Sequence, residues 1–455
     1  MSGFFAKKIY LPLAGRFKGM DVPAALARLN ESQYLSAKEL KERQWTRVLE
    51  VLRYSAATVP YYREKWKKSG IDPGKIQSPA DFLRVPILEK GEIRDNLPAF
   101  KSESYKGRIF RGRTSGSTGI PLEILFSPRY MECTQAAQWR GRGWYGINRG
   151  DRTVAFWGRP FHSKFARFKN TVKNRLQNIF VITPFELTDR ELGYAWAEIA
   201  AFKPKFIYGY GSSIARFAEF MRDTGRSIEF PVNVVFYTAE MLFDFQKMLA
   251  GEMFRTKIAS EYGSTEAGAF AFECPEGSLH VSDENVYMEI VRPDGTPAAA
   301  GETGEVVATT LTNECMPLIR YRLGDMAALL DGACPCGRML TLMELRGGKI
   351  TSLVRTPSGG VFSSEVFDYI GLSLADEEVR TVRAFRIIQK TLSRIVVQIE
   401  LSAPDERAVE LFRKYMNEKL GSDIEVDFEY VEKIGPDKTG KIRYFISEIG
   451  DGPEK

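Results

Sequence analysis

Histidine is almost absent from this chain: His162 and His280 are the only two in 455 residues. Any histidine-based mechanism has to use one of them, and no G-x-S-x-G elbow accompanies them, which argues against a hydrolase triad. Cysteine is sparse too; five in so long a chain exclude a disulfide framework and leave reduced thiols or metal ligands. No run of about 18 apolar residues occurs, and the opening MSGFFAKKIYLPLAGRF is broken by Lys7, Lys8 and Pro12 before a signal-peptide core can form. The expectation is a soluble cytoplasmic protein with no stable membrane insertion. Net charge is only +6 over a long chain, less lopsided than that of a dedicated nucleic-acid binder. What is present is ordinary globular composition, 44% hydrophobic and 27% charged, at a length that allows two or three domains.

Over 36–56 the residues Leu40, Val48, Leu49 and Leu52 recur near helical spacing, which predicts an amphipathic helix. From about 110 to 345 short β-rich runs alternate with helical ones. Strands are expected over 232–238, 286–291 and 305–311, and a helix over 212–224, capped by Ser212 and stopped by Gly225. The alternation predicts an α/β fold. Past 345 come β runs at 383–389 and 395–401, a helix at 405–420 and a strand at 424–430, a compact α+β unit able to fold alone. Gly347 and Gly348 punctuate the boundary, giving a large domain over 1–345 and a small one over 346–455.

Four segments carry candidate chemistry. Thr114-Ser115-Gly116-Ser117-Thr118-Gly119 offers small and hydroxyl-bearing residues whose backbone can approach a polyphosphate, although an ordinary Ser/Gly turn looks the same. It is not a Walker loop, because the G-K-[ST] ending is missing. Glu261-Tyr262-Gly263-Ser264-Thr265-Glu266 and Tyr321-Arg322-Leu323-Gly324-Asp325 each join an aromatic, a glycine turn and a carboxylate, a set able to stack a base, bind a ribose diol and hold Mg²⁺. Lys441 sits in the glycine turn of Pro436-Asp437-Lys438-Thr439-Gly440-Lys441, where it could swing into a site, though most lone lysines are simply solvated. A G-x-G-x-x-G match at 141–146 follows a helical run instead of a strand and is set aside as a dinucleotide fingerprint.

In order and approximate spacing these segments resemble the motifs of the adenylate-forming (ANL, acyl-CoA synthetase) superfamily, most closely its phenylacetate–CoA ligase and CapK-like branch. The resemblance covers nearly the whole chain, including Tyr61-Tyr62-Arg63, Thr238-Ala239-Glu240 and Pro317-Leu318-Ile319-Arg320. It implies a large N-terminal domain of sheets and helices and a small, mobile C-terminal α+β lid. It implies that a carboxylic acid attacks the α-phosphate of ATP, releasing pyrophosphate, before the acyl group passes to coenzyme A. Such in-line transfer needs charge neutralisation more than a base, which suits a chain poor in histidine. By this resemblance Thr114, Ser115, Gly116, Ser117, Thr118 and Gly119 hold the β- and γ-phosphates. Glu240 and Tyr262, with Glu261 beside them, frame the adenine. Thr265 contacts the α-phosphate, Glu266 binds Mg²⁺, Asp325 and Arg346 take the ribose hydroxyls, and Lys441 bridges the acyl carboxylate and phosphate. The partners expected are a small carboxylic acid and coenzyme A or another acyl acceptor, with no nucleic acid; a homodimer is left open. Two alternatives also stay open: transfer to an amine or hydroxyl in polysaccharide or natural-product biosynthesis, and a non-catalytic nucleotide-binding role. Leu122 stands where a lysine often closes the phosphate loop, and 156–175 looks more like the CapK side than the arylacetate side.

Cys274, His280, Cys334 and Cys336 supply three thiols and one imidazole, the ligand set of a tetrahedral structural zinc site, with free buried cysteines as the alternative. Cys133 and Cys315 read as core residues. The basic run Lys164, Arg167, Lys169, Lys173 and Arg175 has three readings: a solvated helix face, a site for an anionic substrate or a coenzyme A phosphate, or a membrane-surface contact. Trp139, Trp144, Trp157 and Phe161 are candidates to line an acyl pocket, with core packing the alternative.

Overall fold

The computed structural model describes residues 3–114, 122–157, 164–183, 188–242, 244–347, 353–367, 370, 373–374, 377, 379, 381–421, 423–432, 434 and 445–449. Its largest element is an eleven-stranded sheet. Four strands, β3 (Thr153–Phe156), β4 (Ile179–Ile182), β5 (Phe206–Tyr210) and β6 (Val234–Thr238), run parallel to one another and to the first part of β7 (Ile258–Ser264). Helices on the connections cover this half, so strands such as β3 are buried at every residue, as parallel strands must be. Beyond β7 every neighbouring pair is antiparallel: β8 (Gly268–Glu273), β9 (Leu279–Val281), β13 (Leu342–Gly347), β12 (Tyr321–Leu330), β11 (Gly304–Thr310) and β10 (Val286–Val291). The sheet is therefore mixed, with β7 at the change of direction. A hairpin of β1 (Phe110–Arg113) and β2 (Glu123–Phe126) lies outside it.

The expected helix over 36–56 is Ala37–Thr58, and its start is specified locally. Ser36 accepts from the Glu39 N–H and the Glu39 carboxylate accepts from the Ser36 N–H, so two orphan donors are satisfied at once. Ser36→Ala should lower stability by about 1 kcal/mol, read as a fall in denaturant midpoint at unchanged slope. In the next helix, Pro60–Lys68, the Tyr62 hydroxyl donates to the Pro317 carbonyl and accepts from the Ile319 N–H. Tyr61 stacks on Phe100 at 4.0 Å. Tyr62 thus holds the segment that leads into β12, and Tyr61 packs into the same core against Phe100.

The C-terminal unit has its own four-stranded sheet, β16 (Val382–Thr391), β17 (Arg394–Leu401), β18 (Glu425–Tyr430) and β19 (Phe445–Ser447), ordered 18-17-16-19. The helix Glu406–Leu420, capped by Asp405, packs Phe412 and Met416 into a core with Phe385, Ile387 and Ile399. Short strands β14 (Leu353–Arg355) and β15 (Val361–Ser363) precede it.

Candidate active site

In open α/β sheets, ligands bind beyond the carboxyl ends of the strands where the topology changes. Here a cavity of about 820 Å³ opens beyond β6 and β7, at the change from parallel to antiparallel pairing. Ala239, directly after β6, has φ +67°, a conformation costly for any residue with a Cβ. That kink carries Glu240 into the cavity wall, where its buried carboxylate accepts the Ser212 N–H at 2.6 Å. Ser212 is consequently not the helix cap expected from sequence. The helix is Gly211–Asp223 with Tyr210 at the cap, and Ser212 sits in its first turn, its N–H taken by a carboxylate 28 residues away.

The β7–β8 hairpin builds the opposite wall. It is so tight that a Cβ on Gly263 would lie 2.5 Å from the Gly268 carbonyl, which accounts for glycine there. The Tyr262 hydroxyl donates to Asp325 at 2.9 Å. Burial raises the Tyr262 phenol well above its ordinary value, and the Asp325 charge and hydrogen bond raise it further, so it remains a donor at neutral pH. Tyr321 donates to the Glu266 carboxylate at 3.2 Å, and the Tyr130 hydroxyl donates to the Glu266 carbonyl at 3.2 Å. The Asp325 and Glu266 carboxylates are therefore each held by a buried phenol.

Of the residues singled out from sequence, Thr114, Glu240, Glu261, Tyr262, Thr265, Glu266 and Asp325 all line this one cavity. Glu261 is also occupied, by the Arg142 guanidinium at 3.2 Å and the Gln138 amide at 3.0 Å. Arg346 pairs with Glu344 at 2.6 Å and is not among the lining residues. Ser115, Gly116, Ser117, Thr118, Gly119 and Lys441 lie outside the described residues, as do His162 and Phe161. Trp139 and Trp144 do not line the cavity. Trp139 packs under the Arg142 guanidinium, and Trp144 donates to Gln33 and meets the His280 ring edge-on. Trp157 stacks on Tyr210 at 4.4 Å. Sequence reasoning missed Tyr130, which sits in the helix Pro128–Gly143 with no local signal. It also missed Glu273, which lines the cavity while paired with Lys247 at 2.9 Å.

Cys274, His280, Cys334 and Cys336 converge, their ligand atoms all within 4.8 Å of one another. The Cys274 and Cys334 sulfurs are 3.6 Å apart, and Cys336 Sγ lies 3.3 Å from His280 Nε2. Zn–S bonds of about 2.3 Å in a tetrahedron put sulfurs roughly 3.8 Å apart, so the donor set and its spacing fit zinc. Cys315 is buried as expected, and Cys133 only partly so.

Residues 363–448 match the CapK C-terminal domain family. Over 419 residues the chain is 24% identical to Protein CapK of Staphylococcus aureus, covering 90% of each chain. It is 25% identical over 405 residues to the phenylacetate–coenzyme A ligase of Thermus thermophilus, covering 87% of each. Among solved structures it resembles 2-hydroxyisobutyryl-CoA ligase in complex with 2-HIB-AMP and CoA, with TM-score 0.63, 20% identity and 92% of both chains covered, a likeness of fold.

Proposed function

We propose that this chain, homologous to CapK and the phenylacetate–coenzyme A ligases over most of its length and built on the adenylate-forming fold, is an ATP-dependent, AMP-forming carboxylic acid ligase. The observation that carries this reading is the convergence of four segments far apart in sequence, at Thr114, Glu240, Tyr262 to Glu266 and Asp325, on one cavity at the carboxyl ends of β6 and β7. A carboxylate oxygen of the acid attacks the α-phosphorus of ATP, pyrophosphate leaves, and the mixed anhydride holds the acyl group. A thiol, that of coenzyme A, then attacks the acyl carbon and AMP leaves. Both steps gain more from positioning and charge neutralisation than from a base.

Within this reading Asp325 accepts from the ribose hydroxyls, and Tyr262 fixes the carboxylate that does so. Thr265 donates to an α-phosphate oxygen. Glu266, oriented by Tyr321, holds Mg²⁺, whose charge offsets that of the triphosphate. Acid-dependent ATP–pyrophosphate exchange with Mg²⁺ but no acceptor, across aryl, fatty, amino and uronic acids, tests adenylation alone. Adding coenzyme A then tests the acceptor: AMP release without thioester would redirect the second step to an amine or hydroxyl. Asp325→Ala should raise the KM for ATP about tenfold, beyond the modest fall in melting temperature from leaving the buried Tyr262 hydroxyl without its acceptor, since a charge-assisted hydrogen bond is worth roughly 1.5–3 kcal/mol. Tyr262→Phe should have a smaller effect in the same direction. An ATP KM indifferent to both would take the ribose away from Asp325.

We also propose that Cys274, His280, Cys334 and Cys336 hold a structural zinc ion. It would join the turn between β12 and β13 to the β8–β9 hairpin. Four protein ligands leave no open position for catalysis.

A further inference from the structure

The chain's positive charge is not spread evenly over the molecule. Residues 1–20 contain four Lys or Arg and no acid, and residues 152–185 contain seven and no acid. The remaining residues hold 53 basic and 58 acidic side chains, so these two stretches supply the whole of the net positive charge. The fold brings them together at one turn. Lys7 pairs with Asp151, and Asn178 donates to the Gly150 carbonyl at 3.0 Å. Lys18 lies close enough to Lys173 and Arg108 for their charges to add to burial in lowering its pKa.

The same two stretches expose apolar surface. In the helical run from Gly3 to Phe17, Phe4, Ile9, Leu13 and Phe17 are exposed, Phe17 at 81%. Ile9, Leu13 and Phe17 are four apart, on one face. Phe4 and Ile9 are five apart across the π-helical turn Ala6–Tyr10, whose wider pitch keeps them aligned. In the helix Lys164–Leu176, Phe168 is 66% exposed and Val172 follows four residues later. These six account for six of the fourteen large apolar side chains exposed among the described residues, within two short helical segments. Lys8, Arg16, Lys169, Lys173 and Arg175 stand exposed beside them.

An apolar stripe edged by unopposed cations has the chemistry of a helix lying in a lipid interface. We infer that this face docks the protein peripherally on an anionic phospholipid surface, the aromatic and aliphatic stripe entering the headgroup boundary and the basic residues meeting lipid phosphates. None of these residues lines the candidate active-site cavity, so the face is a surface separate from the coenzyme or acid site and does not depend on the adenylating reading. Among the described residues no helix is long and apolar enough to cross a membrane, so the contact is with one leaflet.

Co-sedimentation of the full chain with vesicles tests the assignment. Vesicles of phosphatidylcholine with about 30% phosphatidylglycerol should bind it at least tenfold better than pure phosphatidylcholine, and 0.5 M salt should reduce that binding, because screening shortens the reach of surface charge. Two double variants separate the contributions. Leu13→Glu/Phe17→Glu removes the stripe, and Lys8→Glu/Arg16→Glu reverses the edge charge. Each should weaken binding at least tenfold with an unchanged circular-dichroism melt, the charge variant losing its salt sensitivity as well. Absence of sedimentation with the anionic vesicles, equal binding to neutral ones, or binding indifferent to both variants would overturn the inference. So would light scattering showing a dimer that Phe17→Glu splits while vesicles are ignored, which would assign the stripe to a second copy of the chain.

Discussion

Lys441→Ala should slow acyl-adenylate formation by about 10²–10³-fold, the usual consequence of removing one preorganised charge from a developing transition state. The cavity explains why the effect should be large. Glu240, Glu266 and Asp325 face it, and Glu89, Glu261, Glu273 and Glu344 also line it, against Lys90 and Arg322 as the lining cations among the described residues. Arg322 is already committed, pairing with Glu89 at 2.9 Å and with Glu305. Arg142 and Lys247 are held by Glu261 and Glu273. A carboxylate attacking a triphosphate brings its own charge and those of the phosphates into a region whose described cations are largely occupied. Mg²⁺ offsets part of this, and the remaining deficit sits where acid and α-phosphate meet. A lysine placed there bridges the two reactants and removes their repulsion, which is the role proposed for Lys441. The measurement is pyrophosphate exchange alongside nucleotide binding and a melting curve: exchange should fall while ATP affinity changes less than tenfold and the fold is retained. Lys441→Arg should recover part of the rate. Exchange at the wild-type rate in Lys441→Ala would remove the lysine from this role.

The residues of the cavity were legible through the resemblance of their segments, in order and approximate spacing, to the motifs of the adenylate-forming superfamily. Taken singly, a hydroxyl-rich loop or an aromatic beside a glycine and a carboxylate reads equally well as a structural turn. The strands around them were legible where most residues are buried, as at 234–238 and 286–291. Pairing was not. Nothing local in Leu342 or Met343 says that β13 lies beside β9, whose Leu279 and His280 are about 60 residues earlier, and the mixed direction of the sheet follows from such non-local pairings. Ser212 was misassigned for the same reason: a serine before an apolar run signals a cap, but its N–H is claimed by Glu240, brought up by the kink at Ala239. The aromatic run misled in another way. Trp139 and Trp144 pack against Arg142 and His280, and periodicity cannot separate a side chain facing a cavity from one facing a buried cation. The rejected G-x-G-x-x-G match has a packing cause instead: a Cβ on Gly141, in the last turn of its helix, would lie 2.5 Å from the Phe272 ring.

Replacing Cys334 and Cys336 together by serine should remove one equivalent of zinc and lower the melting temperature by roughly 10 °C, since a metal that binds only the folded chain adds its binding energy to stability. The position of the cluster raises the expected effect on function as well. Cys274 directly follows β8, His280 lies in β9, and Cys334 and Cys336 are in the turn between β12 and β13, so the four ligands tie together segments that wall the cavity through Ser278, Leu279, Leu342 and Met343. Loosening that wall should raise the KM for the acid more than it lowers kcat, because positioning is lost while Lys441, Thr265 and Glu266 are untouched. Acid should act in the same direction as the variant. Burial, with Arg338 and Arg140 nearby, pushes the His280 imidazole down to about 4, so it is neutral and able to bind metal at pH 7. The unfolded chain takes up that proton from about 6.5 downward. The stability contributed by the neutral ring is therefore present above about 6.5 and lost as pH falls toward 4, and protonation of the thiolates releases the metal over acid pH as well. Metal analysis before and after dialysis against a chelator at pH 7 and pH 5 measures both. A wild type that carries no zinc and melts at the same temperature with or without the chelator would reduce the cluster to four neighbouring side chains with no ion to hold.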